Sequence, residues 1–240
     1  MIDSNPDIGL VVNAANNNLR YERKLLPLGY DPSDVLALVG QHPSGFRETY
    51  PSRWVNNIYL DSHGLDDYHD HVTGLADRSK SRIRWYGDLN GSIPKPVFER
   101  KFKRGIVGGK HSHATSPLTL NGGLNEPKLR DMLNGMGEKD PLRRCLEYRS
   151  PSLINRYRRY YYESGDGRVR LTVDSELGFY EPESASPELA SEPPEAFEVV
   201  IELKYAPDNS DIAAEIANWF PCRVVRCSKY VLGIEAIRRS

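Results

Sequence analysis

The sequence predicts a mainly β (α+β) protein: an antiparallel β-barrel of about eight strands, closed into a tunnel, with peripheral helices. Three observations predict it. Short runs in which apolar and charged residues alternate recur along the chain, and period two is the signature of a strand with two unlike faces. Gly, Pro, Asn and Asp clusters separate those runs. Two of the runs, Ser152–Glu163 and Arg168–Asp174, meet across Ser-Gly-Asp-Gly, and Asp-Gly tolerates the positive φ that hairpin turns need. A chain of 240 residues suits one large barrel.

Taken in order, residues 1–18 are polar and Asn-rich and read as an N-terminal arm, and residues 19–240 as the tunnel domain. Leu19 to Leu26 (LRYERKLL) reads as a strand or a short helix; at period two, Arg20, Glu22 and Lys24 share a face opposite Tyr21 and Leu25. Asp31-Pro32-Ser33-Asp34 opens a helix to about Gly40, because Asp or Ser caps the free amides of a first turn. Arg53 to Asp61 is rich in β-branched and aromatic residues and reads as a strand. Residues 65–79 read as a helix, followed by Ser81 to Tyr86, where Arg82 and Arg84 alternate with Ile83 and Trp85. Val97 to Lys103 places Glu99, Lys101 and Lys103 on one face and Phe98 and Phe102 on the other.

Residues 105–125 are Gly- and Ser-rich and read as a loop, and 126–149 as short helices broken by Gly and Pro. After the hairpin, residues 181–195 carry Pro, Glu, Ser and Ala without periodicity and read as a flexible acidic loop. Phe197 to Tyr205 is a strand with Glu198, Val200, Glu202 and Lys204 on one face. Residues 210–219 have helical spacing behind a Ser or Asp cap, and the chain ends with the run Arg223 to Glu235.

Composition narrows the function. No stretch approaches the roughly 18 apolar residues that span a bilayer, and Met1 precedes a polar segment rather than a signal peptide, so a cytoplasmic location is expected. Cys145, Cys222 and Cys227 are odd in number and lack metal-ligand spacing, which argues for reduced structural thiols. With 32 Lys+Arg against 33 Asp+Glu the chain is not the basic protein that a nucleic-acid binder usually is. The charges are nevertheless sorted: cations concentrate in the strand-like runs and acids in one loop.

A single strand with a charged face is ordinary solvent-facing sheet. Here Arg20, Lys24, Arg82, Arg84, Lys101, Lys103, Arg159, Arg170 and Lys204 recur at separate places in the sequence, and on one inward face they would repel one another unless an anion lay between them. Inside an eight-stranded barrel every second residue points inward, and a polyphosphate satisfies buried cations through charge-assisted hydrogen bonds. Arg suits this because its planar fork takes two phosphate oxygens. Glu22 and Glu202 stand among the cations and are candidate ligands for a divalent metal, Mn²⁺ or Mg²⁺, that bridges phosphate oxygens; spacing alone equally allows salt bridges to Lys24 and Lys204. His63, His69 and His71, and His111 and His113, fall in a helix-like connection and a loop, without a metal pattern.

The ordered pieces RYERK (20–24), NIYLD (57–61), RIRWYG (82–87), FERK (98–101), RYRRYYY (156–162), RVRLTVDSEL (168–177), IELKY (201–205) and SKY (228–230) resemble the VTC domain family, the polyphosphate polymerase branch of the triphosphate tunnel metalloenzyme (CYTH-like) superfamily. The resemblance runs from about residue 19 to 236. It implies a tunnel that transfers the γ-phosphate of ATP to a growing polyphosphate chain, with a divalent metal as cofactor. By the same resemblance Lys24, Arg82, Arg84, Lys101 and Arg170 grip phosphate, as does Arg159, with Arg158 as the alternative; the alternation of charges adds Lys103 and Lys204 as substrate-binding candidates. Glu202 resembles the metal-ligating glutamate, with Glu22 as a second acid, and Ser228 and Lys229 resemble a terminal Ser-Lys pair near the phosphates. Eukaryotic members carry a membrane segment and a regulatory domain absent from this sequence, which leaves a membrane-protein partner open.

Phosphoryl transfer needs positioning and charge neutralisation more than a nucleophilic side chain, consistent with the lack of any Ser-His-Asp or Cys-His set. Two further functions stay open from sequence: a triphosphate or nucleotide hydrolase or cyclase of the same superfamily, and a non-catalytic polyphosphate-binding module. RIRWYG and SKY favour the polymerase.

Overall fold

The computed structural model describes residues 21–104, 107–124, 128, 131, 134–183, 191 and 197–239. The N-terminal arm, Arg20 and most of the acidic stretch 181–195 lie outside the described residues. The framework is antiparallel: β1 (Tyr21–Leu26), β2 (Arg47–Asp61), β3 (Arg78–Tyr86), β5 (Val97–Arg104), β6 (Val107–Ala114), β8 (Ser150–Glu163), β9 (Val169–Tyr180), β10 (Val200–Tyr205) and β11 (Arg223–Val224) form one sheet in the order β11-β1-β10-β9-β8-β2-β3-β5-β6. β4 (Gly91–Ile93) and β7 (Leu118–Leu120) pair separately. Helices α1 (Pro32–Gln41), α2 (Asp66–Thr73), α3 (Pro141–Leu146), α4 (Ser210–Trp219) and α5 (Lys229–Ile237) surround them.

The sheet curls but does not close, which corrects the expected closed barrel. β11 has only two residues, too few for a long ladder, and the chain then turns into α5, so among the described residues neither end of the sheet finds a backbone partner. Side chains span the gap instead: Lys101 on β5 reaches Glu22 on β1 at 3.1 Å. The curl thus brings nearly opposite ends of the strand order within salt-bridge distance.

Local chemistry explains most elements. Asp31 accepts from the Asp34 amide at 2.9 Å and Asp34 accepts back from the Asp31 amide at 3.3 Å, a capping box that starts α1 where expected. The helix expected over 65–79 ends at Thr73, because Gly74 takes a left-handed φ of 74° and releases the chain into β3 three residues before the expected start at Ser81. The expected loop over 105–125 contains β6 and β7. Gly109 is a glycine because a Cβ there would lie 2.4 Å from the Phe102 ring, and His111 stacks on the same ring; close approach, not looseness, explains the glycine. The terminal run makes β11 and then α5.

Two apolar clusters cover the outer face. Ile58, Ile83, Trp85, Phe98 and Ile154 pack under β4, β7 and α3, and Leu25, Leu171, Val173, Ile201 and Leu203 pack under α1 and α4. A third cluster sits on the inner face, where Tyr59, Leu153, Tyr157, Leu177 and Phe179 meet α5. Leu177 and Phe179 reach it because of a bulge. Glu176 has φ 53°, the β8–β9 register shifts between Arg156 and Arg158, and the inward set changes from Arg170, Thr172 and Asp174 to the odd-numbered residues.

Candidate functional site

The inner face carries the charge that alternation assigned to it, and among the described residues the structure sorts it around four carboxylates and one lysine that has no carboxylate in salt-bridge range. Asp174 on β9 is fully buried opposite Arg159 on β8. Arg159 donates two bonds to its carboxylate at 2.5 and 2.7 Å, and Lys229, the first residue of α5, approaches at 2.6 Å. Burial by itself would raise the Asp174 carboxyl, but Arg159 and Lys229 outweigh it and bring the pKa down to about 2. The ring of Tyr157 lies beneath, with the Arg159 Cζ 5.2 Å and the Lys229 Nζ 4.9 Å from its centroid. Burial opposes ionisation of this phenol, yet Arg159, Arg84 and Lys229 pull its pKa below the ordinary tyrosine value.

Glu99 on β5 is the second centre. Arg82 donates to it at 2.8 and 2.6 Å, Lys110 on β6 at 2.6 Å, and Arg84 lies 3.5 Å away. Its carboxyl, which burial would raise, is held down at about 2 by Arg82, Arg84 and Lys110. Arg84 is aimed by Asn57, which accepts from its Nε at 3.0 Å and donates to Asn155 at 2.8 Å.

Glu22 and Glu202 converge on Lys24. Its ammonium is 3.0 Å from Glu22 and 3.8 Å from Glu202, and donates to the Cys227 carbonyl at 2.9 Å. Glu202 also takes Lys204 at 2.5 Å. Burial disfavours the charge on all three central groups, but the mutual attraction wins: the Lys24 pKa rises and both carboxyls fall. Lys80 is different. It donates to Ser228 at 3.3 Å and lies opposite Lys101 in the β3–β5 register, with no carboxylate in salt-bridge range among the described residues. Burial first, then Lys24, Lys101 and Arg82, push its pKa well below the usual lysine value.

The expected site residues Lys24, Arg82, Arg84, Lys101, Arg159, Lys204, Ser228, Lys229, Glu22 and Glu202 are therefore assembled along one face. The other three lie off that face or at its rim. Arg158 points to the outer side, bonded to Ser52 and 3.9 Å from Glu176, which settles the alternation in favour of Arg159 facing inward. Arg170 lies on the inner face but at its exposed rim, bonded to Glu163 at 3.3 Å. Lys103 is exposed at the end of β5. Asp174, Lys80, Glu99 and Lys110 belong to the same constellation without having been site candidates from sequence. Asp174 and Lys80 were signalled by the same period, two positions from Thr172 and from Arg82; Lys110 was hidden in the supposed loop.

Among the described residues no three His, Cys, Asp or Glu side chains gather as a metal cage. The convergence of Glu22 and Glu202, both held ionised, still fits a hard divalent cation that takes one or two carboxylates and fills its shell with phosphate oxygens and water. Among the described residues two buried polar groups on the inner face also lack partners, the Thr172 hydroxyl and the Asn155 side-chain amide nitrogen, both hydrogen-bond donors.

Residues 16–238 match the sequence model of the VTC domain. The chain belongs to the VTC domain family. No curated protein matches it in sequence. Among solved structures this VTC domain is similar to a candidate adenylate cyclase from Bacillus halodurans, at 14% identity and a TM-score of 0.51 over 88% of this chain and 94% of that one, which shows a shared fold. A candidate adenylate cyclase from Vibrio parahaemolyticus (10% identity, TM-score 0.49) and a protein from Pyrococcus horikoshii (16%, 0.49) also align, each over 90% of this chain and 99% of its own. That membership agrees with the resemblance to the triphosphate tunnel superfamily drawn from the sequence motifs. No helix among the described residues is long and apolar enough to cross a membrane.

Proposed function

We propose that the inner face binds ATP and polyphosphate and transfers the γ-phosphate of ATP to the end of the polyphosphate chain. The observation that carries this reading is Lys80: a half-buried ammonium facing Lys101 across the β3–β5 register, repelled by Lys24, Lys101 and Arg82 and with no carboxylate in salt-bridge range among the described residues, holds its proton more readily when a polyanion enters among them. The unpartnered donors of Thr172 and Asn155 support the same reading.

In the reaction an oxygen of the chain's terminal phosphate forms a bond to the γ-phosphorus, the bond from that phosphorus to the β-bridging oxygen breaks, and ADP leaves. The protein's part is to hold both polyanions in line and neutralise charge on the oxygens between them. Arg82, Arg84 and Arg159 offer planar forks, while Lys24, Lys80, Lys101 and Lys229 act as point charges. Glu22 and Glu202 would hold a divalent cation, which when bound neutralises phosphate oxygens. Glu99 and Asp174 fix the forks of Arg82 and Arg159, so these guanidiniums are oriented before substrate arrives.

The test is incubation of the purified chain with ATP and Mn²⁺ or Mg²⁺, followed by separate assays for polyphosphate, free phosphate and pyrophosphate. Polyphosphate with ADP is the expected result. Phosphate alone would make the protein a hydrolase, pyrophosphate a cyclase, and binding without turnover a polyphosphate-binding module; each would overturn the polymerase. Arg82→Ala and Arg84→Ala should each lower turnover at least tenfold in protein that still folds, and normal turnover in both would remove them from the site.

A further inference from the structure

We infer that Tyr50, Arg53, Tyr86 and Tyr161 form a platform that stacks the nucleobase of a nucleoside triphosphate. The inference rests on the reading of the inner face as a phosphate site, and adds to it a recognition element for the part of the substrate that carries no phosphate. The Arg53 guanidinium carbon lies 4.4 Å from the Tyr86 ring centroid, 4.8 Å from that of Tyr161 and 5.7 Å from that of Tyr50. Arg53 also donates to the Tyr161 hydroxyl at 3.2 Å, and Tyr50 meets Tyr161 edge-on at 5.9 Å. Among the described residues Arg53 has no carboxylate in salt-bridge range, so its charge is held by π-faces. Tyr50 and Tyr86 are nevertheless 58% and 49% exposed, large aromatic surface kept open on rigid strands.

Position decides what such a surface would take. Arg53 is the register partner of Arg159, Tyr161 follows Arg159 by two residues on β8, and Tyr86 follows Arg84 by two residues on β3. Two residues of strand advance about 7 Å along the same face. The platform therefore lies one step beyond the guanidiniums expected to hold phosphate, the offset that a ribose spans. In the other direction along β2 and β8 the inner face is filled, since Tyr59 stacks on Tyr230 of α5 at 4.8 Å and Leu153 packs in the same cluster. A nucleotide whose phosphates lie between Arg84 and Arg159 can place its base only on the tyrosine side. Stacking on tyrosine and guanidinium planes tolerates any base, because each has a π-face.

Calorimetry with a non-hydrolysable ATP analogue and with inorganic tripolyphosphate, both with Mn²⁺, tests this. Tyr86→Ala should weaken the nucleotide analogue about tenfold and leave tripolyphosphate unchanged, and Tyr86→Phe should preserve both. Tyr50→Ala gives an independent second arm if Tyr86→Ala lowers the melting temperature. Unchanged nucleotide affinity in both alanine variants, or an equal loss for both ligands, would overturn the platform while leaving the phosphate site in place. A parent protein that binds neither ligand would sink the phosphate site and the platform with it.

Discussion

Asp174 lies fully buried yet ionised, because Arg159 and Lys229 hold its carboxyl near pKa 2 against the pull of burial. A carboxyl depressed from about 4 in the unfolded chain adds stability that is complete above that value and disappears as the pH falls toward 2, worth on the order of 2 kcal/mol at neutral pH. Denaturant unfolding from pH 6 to pH 2 should show this loss, and Asp174→Asn should both flatten the acid limb and cost about 3–5 kcal/mol by leaving two cations unpaired; an unchanged acid limb would contradict the pairing. Glu202 poses a sharper question, since Lys204 and Lys24 already hold it. If Glu202 also holds metal, Glu202→Gln shifts the Mn²⁺ dependence of activity at least tenfold while triphosphate affinity changes little. A salt-bridge role alone leaves the metal curve where it was. Alternation in the sequence was enough to place Glu202, Arg82 and Arg84 on charged faces, because a strand's period assigns faces one residue at a time, and it left Arg158 and Arg159 as alternatives. It could not say that each acid serves several cations, because Asp174 and Arg159 meet only through the β8–β9 register, and Lys229 joins them from a helix far along the chain.

At the level of elements, α5 is what turns an open curled sheet into a site. It places Lys229 against Asp174 and Tyr230 against Tyr59, and Tyr230 donates at 2.5 Å to Asp61, a buried carboxylate that also accepts the Asp67 and Tyr68 amides at the start of α2. Gly233 lets α5 sit this close: a Cβ there would lie 2.4 Å from Leu153 Cδ2 and 2.6 Å from Phe179 Cδ1. Gly233→Ala should therefore destabilise by about 1–3 kcal/mol and weaken triphosphate binding as Lys229 is displaced. Gly40→Ala in α1 meets nothing within 4 Å and should stabilise by about 0.5–1 kcal/mol with binding intact. Equal melting temperatures for the two variants would refute the close docking of α5. The strands with clean alternation and the capped helix α1 were legible in the sequence; β6 was not, because Gly108 and Gly109 imitate a loop when the Phe102 ring that requires the second of them lies on another strand. The bulge at Glu176 was equally hidden, since nothing in RVRLTVDSEL marks where the inward parity changes.

Over the whole molecule, two apolar clusters on the outer face hold together a sheet whose inner face, among the described residues, collects more cations than carboxylates, so the fold is stable despite that charged face rather than because of it. Closure was a further architectural feature that alternation could not decide, since inward and outward faces look the same in a barrel and in a curled sheet, and the two-residue β11 shows which one forms. The energetic consequence has a sign that can be measured. Tripolyphosphate at a hundred times its Kd should stabilise the fold by about 2.7 kcal/mol, which for a chain of this size raises Tm by roughly 5–10 °C. Lys80 makes the argument specific. Its pKa is depressed by burial and by Lys24, Lys101 and Arg82, so below the usual lysine pKa it subtracts from stability as long as no anion is present. Lys80→Met should then raise Tm in plain buffer while shrinking the rise caused by tripolyphosphate, two changes of opposite sign from one substitution. A residue that merely packed against its neighbours would lower Tm in buffer on replacement and leave the ligand-induced rise intact, and that outcome in paired melting curves would remove Lys80 from the phosphate site.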